Sequence, residues 1–302
     1  MTDAAAPFPV SVVGVGNMGG AMAQRLAGLG WPVRVCDVRP ERLQHLASFG
    51  AKGHALPDSA AIDSIVCIVA VVDAAQTETV LFGPHGLAPA MPLGGVVMLC
   101  PTLAPEDVEG FARRLIPFGL HTVDAPMSGG PLRALDGSMS LMVACAPNVF
   151  ERCQPLLAAL SSRVFRIGER LGDGARTKLV NNLAAAINLV GAAEVLVLAQ
   201  KMGLDLARTL DVIEQSSGQS WIGSDRMRRA IAGDYAPRAH LTLLQKDTRL
   251  AVAAAQAAGF AGPLGAGVRD VFASASAAGL AELDDAILFD WLARSRDGVQ
   301  GL

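Results

Sequence analysis

Val10-Ser11-Val12-Val13-Gly14-Val15-Gly16-Asn17-Met18-Gly19-Gly20 is the stretch on which the fold turns. A β-branched run covers residues 10–15 and breaks into glycines, which predicts a short strand and a tight turn. Helical character follows over residues 21–29, with Gly30 as the stop. Gly14, Gly16 and Gly19 stand in the spacing G-x-G-x-x-G. Each glycine has a separate duty in a dinucleotide site. Gly14 allows the turn, Gly16 lets backbone approach a pyrophosphate, and Gly19 lets helix and strand pack closely. Val15, Asn17 and Met18 complete the loop and bring its N–H groups to the phosphates, at the positive end of the helix.

The pattern continues outward. Residues 33–38 form another apolar run, and residues 39–49 read as a helix closed by Gly50. The run over residues 65–72 is continuously apolar, as in a strand buried on both faces. Residues 95–100 and 121–125 predict further strands, and Met142-Val143 lies in one more. Alternating strands and helices imply βαβ units and a parallel sheet. Beyond Arg166 the β-branched runs stop. Alanine- and leucine-rich helices are predicted over residues 177–202, 206–215, 240–258 and 264–277. The expected fold class is α/β: an N-terminal Rossmann-type doubly wound sheet, then an all-α C-terminal domain. The boundary falls near Gly168, giving domains 1–168 and 169–302.

Asp37 ends the second predicted strand, about 20 residues after the loop. There a carboxylate accepts hydrogen bonds from a ribose 2′-hydroxyl and repels a 2′-phosphate, so NAD is favoured over NADP. Arg39 pulls the other way, since a guanidinium accommodates that phosphate.

Bulk properties exclude several classes. The 302 residues are 51% hydrophobic and 18% charged, a globular balance, with a net charge of −3. That charge recommends neither nucleic acid nor an anionic membrane as partner, so an anionic substrate has to be met by local charge. Five cysteines at wide spacings, without C-x-x-C, imply neither a disulfide framework nor a zinc site. No metal is expected, because the five histidines lack ligand spacing. The N-terminus lacks the basic and apolar regions of a signal peptide, and a cytoplasmic location is expected. Residues 179–198 are long and apolar, but carry Asn181, Asn182, Asn188 and Glu194. They read as a buried helix, not a membrane span. The alanine-rich helical domain is expected to form a homo-oligomer, a dimer or tetramer.

Only four lysines stand against 21 arginines. Lysine differs from arginine in that burial lowers its pKa toward neutrality, so it exchanges protons. Lys178 opens the long apolar helix, and Asn182 lies one turn later on the same face. An amine there can take the proton of an alcohol as hydride leaves, and the carboxamide can bind the hydroxyl or hold the lysine. A surface lysine beside a core asparagine fits the same residues. Asp284-Asp285 suits a helix start, and Arg226, Arg228 and Arg229 read as a solvated helix face or a subunit contact.

Four ordered motifs together resemble the β-hydroxyacid dehydrogenases, a family that includes 3-hydroxyisobutyrate dehydrogenase. They are the glycine loop, Asp124-Ala125-Pro126-Met127-Ser128-Gly129-Gly130, the stretch from Gly172 to Asn182, and Lys246-Asp247-Thr248-Arg249-Leu250-Ala251. The resemblance implies Lys178 as the catalytic residue, with Asn182 touching substrate. It implies that Ser128, Gly129 and Gly130 hold the carboxylate of a small anionic hydroxy acid. Thr102 would touch the cofactor, and Lys246 would lie near its nicotinamide end. The active site would lie in a cleft between the domains. Two departures stand out: Pro101-Thr102 where members usually show Ser-Thr, and Ala144-Cys145 where a glycine pair is common. Val72 to Gln76, Ser220-Trp221, Gly233-Asp234-Tyr235 and Asp284-Asp285 look similar to the L-threonate dehydrogenase branch. Tartronate semialdehyde reductase and 3-hydroxyisobutyrate chemistry are the alternatives. Two further readings are an imine reductase, which usually lacks this lysine, and a non-catalytic NAD-binding module.

Overall fold

In a computed structural model of the chain, residues 6–294 are described. Residues 1–5 and 295–302, the outer ends of the two expected domains, lie outside them. The chain divides into two compact units, Met1–Lys178 and Leu179–Leu302.

The first unit carries β1 (Val10–Val13), α1 (Asn17–Gly28), β2 (Val33–Cys36), α2 (Pro40–Ala47), β3 (Lys52–His54), α3 (Pro57–Ala61) and β4 (Val66–Val69). It continues with α4 (Ala74–Phe82), β5 (Val96–Leu99), α5 (Pro105–Leu115), β6 (His121–Asp124) and β7 (Met127–Ser128). It ends with α6 (Gly130–Asp136), β8 (Ser140–Ala144), α7 (Pro147–Leu160) and β9 (Arg163–Gly168), before the start of α8 (Asp173–Lys201). The strand order is β3-β2-β1-β4-β5-β6-β8-β7, with β9 paired to β8. All pairs from β3 to β6 are parallel. Consecutive βαβ units step one way from β1 to β3, and then resume on the other side at β4. This reversal opens a crevice at the carboxyl ends of β1 and β4, where such sheets bind ligands.

The apolar runs form strands because both faces are covered. All four residues of β1, of β4 and of β5 are buried. One face packs on α1 and α7 through Met22, Leu26, Cys153 and Leu157, and the other on Leu81, Phe111 and Leu115. The far edge departs from the all-parallel expectation. There β8 runs antiparallel to β6 and to β7, and parallel to β9.

All five cysteines are free and buried. Burial pushes the Cys36 and Cys145 thiols up to about 11, and those of Cys67 and Cys153 to about 12.

The second unit is helical: the rest of α8, then α9 (Leu206–Glu214), α10 (Trp221–Ile231), α11 (Leu241–Ala257), α12 (Pro263–Ala275) and α13 (Leu288–Arg294). Ala186, Leu189, Ala193 and Leu196 of α8 form its core with Met227, Leu241, Phe272 and Leu288. By length and composition α8 is apolar enough to cross a membrane, yet its middle is the spine of this core.

One sequence expectation changes here. Arg226 and Arg229 are not on a solvated face. Arg226 Nε donates to Asp285 Oδ1 at 2.5 Å, and Arg229 Nη2 to Asp284 Oδ1 at 2.8 Å. Both carboxylates are buried. Only Arg228 sits on an exposed face, paired with Asp211 and Glu214. Asp284 also starts a short 3₁₀ turn by accepting the Ala286 N–H, as the sequence suggested.

Candidate active site

The glycine loop follows β1 and leads into α1. Gly14 has φ +89°, and a Cβ there would lie 2.8 Å from Val71 Cγ1. A Cβ on Gly19 would lie 2.0 Å from the Gly14 carbonyl oxygen. Both positions therefore require glycine. Gly16 is the N-cap of α1, with no side-chain hydrogen bond and no acid in the first turn. No side-chain oxygen therefore occupies the first N–H groups of α1, which leaves them open to a phosphate.

Asp37 sits directly after β2. Its Oδ2 accepts the Val15 N–H at 2.8 Å, and its Oδ1 accepts the Arg39 N–H at 2.9 Å. The carboxylate therefore sets the shape of the loop, and each oxygen keeps a lone pair for a ribose hydroxyl. The sequence reading missed Arg42. Its Nη1 lies 2.9 Å from where a Gly16 Cβ would stand, so the guanidinium covers the loop. A guanidinium on α2 above a phosphate loop has no short-motif signature.

Thr102 follows β5 and is half-buried. Ser128 ends β7, and Gly129 and Gly130 have φ of +127° and +77°. At Gly130 a Cβ would meet nothing, so glycine is required there by conformation alone. With no side chain at either position, a ligand can approach the backbone of this segment closely. Loop, Asp37, Thr102 and the Ser128–Gly130 segment all follow strands at the carboxyl edge of one sheet.

Lys178 is in the second turn of α8 and is only 6% exposed. The alternative of a surface lysine is thereby set aside. Asn182, four residues on in the same helix, is buried as well. Its Nδ2 donates to Asp247 Oδ2 at 2.5 Å. Asp247 Oδ1 in turn pairs with Lys246 Nζ at 2.8 Å. Asp247 is the second residue missed as a functional candidate, although it stood inside a quoted motif. It links the two side chains of the helical unit that were singled out from sequence. Lys246 also lines a cavity of about 310 Å³ with Thr242, Gln245, Arg249, Arg269 and Ala273. Two of its three cations are paired with neighbouring carboxylates, Lys246 with Asp247 and Arg269 with Asp270, at 2.8 Å each.

Asp124 is the third missed residue. It is 1% exposed, and its Oδ2 accepts the N–H groups of Gly172 and Ala175, each at 3.0 Å. Burial pushes its carboxyl up to about 6, more than those N–H groups pull it down. A raised value in the fold means that folding favours the protonated form. That contribution is complete below the ordinary carboxylate value of about 4 and is lost as pH rises through about 6.

A phosphate-ready loop at a topological switch point, an acid at the next strand end and a buried lysine define an NAD(P)-dependent oxidoreductase. Residues 9–168 match the family described as the NAD binding domain of 6-phosphogluconate dehydrogenase. Residues 172–292 match the NAD-binding domain of NADP-dependent 3-hydroxyisobutyrate dehydrogenase. The chain belongs to the 3-hydroxyisobutyrate dehydrogenase-like β-hydroxyacid dehydrogenases, enzymes that act on CH–OH donors. It is 37% identical over 276 residues to L-threonate dehydrogenase from Cupriavidus necator, covering 91% of this chain and 93% of that one. It is 34% identical over 273 residues to 3-hydroxyisobutyrate dehydrogenase from Pseudomonas aeruginosa, covering 87% and 90%. A crystal structure of 3-hydroxyisobutyrate dehydrogenase from Salmonella typhimurium superposes with a TM-score of 0.89 at 33% identity, covering 94% of this chain and 99% of that one.

Proposed function

We propose that this dehydrogenase oxidises a hydroxyl group of a small sugar acid of the L-threonate type, with NAD as cofactor and Lys178 as the proton-transfer residue. The observation that carries the mechanism is the burial of Lys178 at the head of α8. The likeness to L-threonate dehydrogenases supports the substrate.

The nicotinamide dinucleotide, when bound, supplies the hydride acceptor. The loop from Gly14 to Gly19 holds its pyrophosphate, Asp37 its adenosine ribose, and Thr102 and Lys246 its nicotinamide side. The Ser128 hydroxyl and the N–H groups of Gly129 and Gly130 hold the substrate carboxylate. Lys178 takes the proton from the substrate hydroxyl and returns it in the reductive direction. Asn182, fixed by Asp247, orients the hydroxyl.

A panel of three- to five-carbon hydroxy acids, followed by dinucleotide absorbance, tests this reading. L-threonate with NAD is expected to give the highest kcat/KM. A higher value with 3-hydroxyisobutyrate or tartronate moves the enzyme to another branch. A higher kcat/KM with NADP than with NAD overturns the role given to Asp37 and assigns Arg39 or Arg42 to a 2′-phosphate.

The occupant of the apolar face of α8 is, in this reading, a second copy of the chain. Val195 and Leu198 of α8 and Met202 just beyond it are exposed, and apolar side chains grouped at a surface favour cover by a partner. Light scattering at micromolar concentration is expected to give a dimer or tetramer mass, and a monomer mass refutes it. Five buried free thiols suit a reducing cytoplasm.

A further inference from the structure

Three segments of the first unit meet at one carboxylate oxygen. Asp124 ends β6 and heads the segment that leads to Ser128, Gly129 and Gly130. Its Oδ2 accepts from Gly172, in the turn before α8, and from Ala175, in the first turn of α8. Those N–H groups belong to a helix start, where no intrahelical acceptor exists. Lys178 follows Ala175 by three residues, less than one turn. Gly174 shows that the fit is tight. A Cβ there would lie 2.9 Å from Asp124 Cγ and 2.7 Å from the Met142 carbonyl oxygen. Any side chain at position 174 would occupy the space that lets carboxylate and helix meet.

We infer that Asp124 is the positioning residue for Lys178: its one oxygen fixes the start of α8 and ties it to the strand that feeds the carboxylate-holding glycines. This inference rests on the reading of Lys178 as the proton-transfer residue. Two bonds converging on one atom fix both the height and the rotation of the first turn of α8. A displacement of about 1 Å at the reacting group costs about 100-fold in rate. The charged and titratable groups facing Asp124 are Asp173 on α8, Cys100 beyond β5 and Cys145 beyond β8. Burial keeps both thiols protonated, and Asp173 is paired with Arg176 at 2.9 Å. Asp124 itself is therefore the group here that titrates near neutrality.

The test measures kcat in the reductive direction from pH 5 to 8, where Lys178 acts as the acid. Wild-type kcat is expected to fall below about pH 6. Asp124→Ala is expected to lower kcat by about 100-fold with dinucleotide Kd unchanged. Asp124→Asn mimics the protonated carboxyl, so at pH 7.5 it is expected to show the reduced kcat that wild type reaches below about pH 6, with no acid limb. A folded alanine variant with wild-type kcat, or an asparagine variant with the wild-type acid limb, overturns the inference. Should the alanine variant not fold, the asparagine profile decides alone. Lys178→Ala separates the two readings. If it retains turnover, the assignment of Lys178 fails. If it is inactive while both Asp124 variants behave as wild type, only the positioning role fails.

Discussion

Lys178→Ala is expected to lower kcat by about 10²–10⁴-fold, the usual contribution of a positioned acid or base, with dinucleotide affinity unchanged. The side chain is buried, and it is one of only four lysines in a chain that elsewhere uses arginine for charge. Lys178→Arg is the sharper variant. Arginine keeps the charge but cannot give up a proton near neutral pH. It is expected to be nearly as inactive as alanine, in stopped-flow measurements of hydride transfer at saturating cofactor. An arginine variant with wild-type kcat would reduce the role of Lys178 to fixed charge.

The largest effect on stability is expected at Asp284→Ala. The carboxylate accepts Arg229 Nη2 at 2.8 Å and the N–H groups of Arg238 at 2.8 Å, Ala239 at 3.2 Å and Ala286 at 3.1 Å. Removing it leaves a buried guanidinium, only 8% exposed, whose remaining ion pair among the described residues is the longer 3.7 Å contact to Asp225, and frees three backbone donors. Breaking such a pair from one side costs about 3–5 kcal/mol. Urea unfolding of the whole chain measures it, and a loss under about 1 kcal/mol would class the pair with surface bridges. Burial pushes the Asp284 carboxyl up, but Arg229 and the N–H groups outweigh it and hold it below the usual range. The contribution is therefore in place above the ordinary carboxylate value of about 4 and is lost as pH falls through the lowered one. The difference between wild type and variant is expected to narrow at low pH.

Much of this was legible from residues alone. The loop from Gly14 to Gly19 was readable because each glycine answers a local steric demand, visible now at Gly14 and Gly19. The run at residues 65–72 announced a strand buried on both faces, and β4 is one. By contrast, β9 (Arg163–Gly168) is largely exposed and carries two arginines, so it has no apolar run to reveal it. Short β3 has the same weakness, with Lys52 and Gly53 exposed. The pairings of Arg226 and Arg229 with Asp285 and Asp284 span 59 and 55 residues. Spacing says nothing about partners that distant, and three arginines in four positions looked like a wet surface. Asp124 and Asp247 stood inside quoted motifs, but their roles depend on which N–H group or amide the fold brings to them.

The five cysteines bear on how this enzyme is handled at the bench. A thiol whose ionisation is pushed to about 11 or 12 offers almost no nucleophile to an alkylating reagent or a peroxide at neutral pH. The cysteine thiols of the native protein are therefore expected to stay reduced in air. A single cysteine introduced on an exposed helix would react selectively with a maleimide dye, with every natural one left in place.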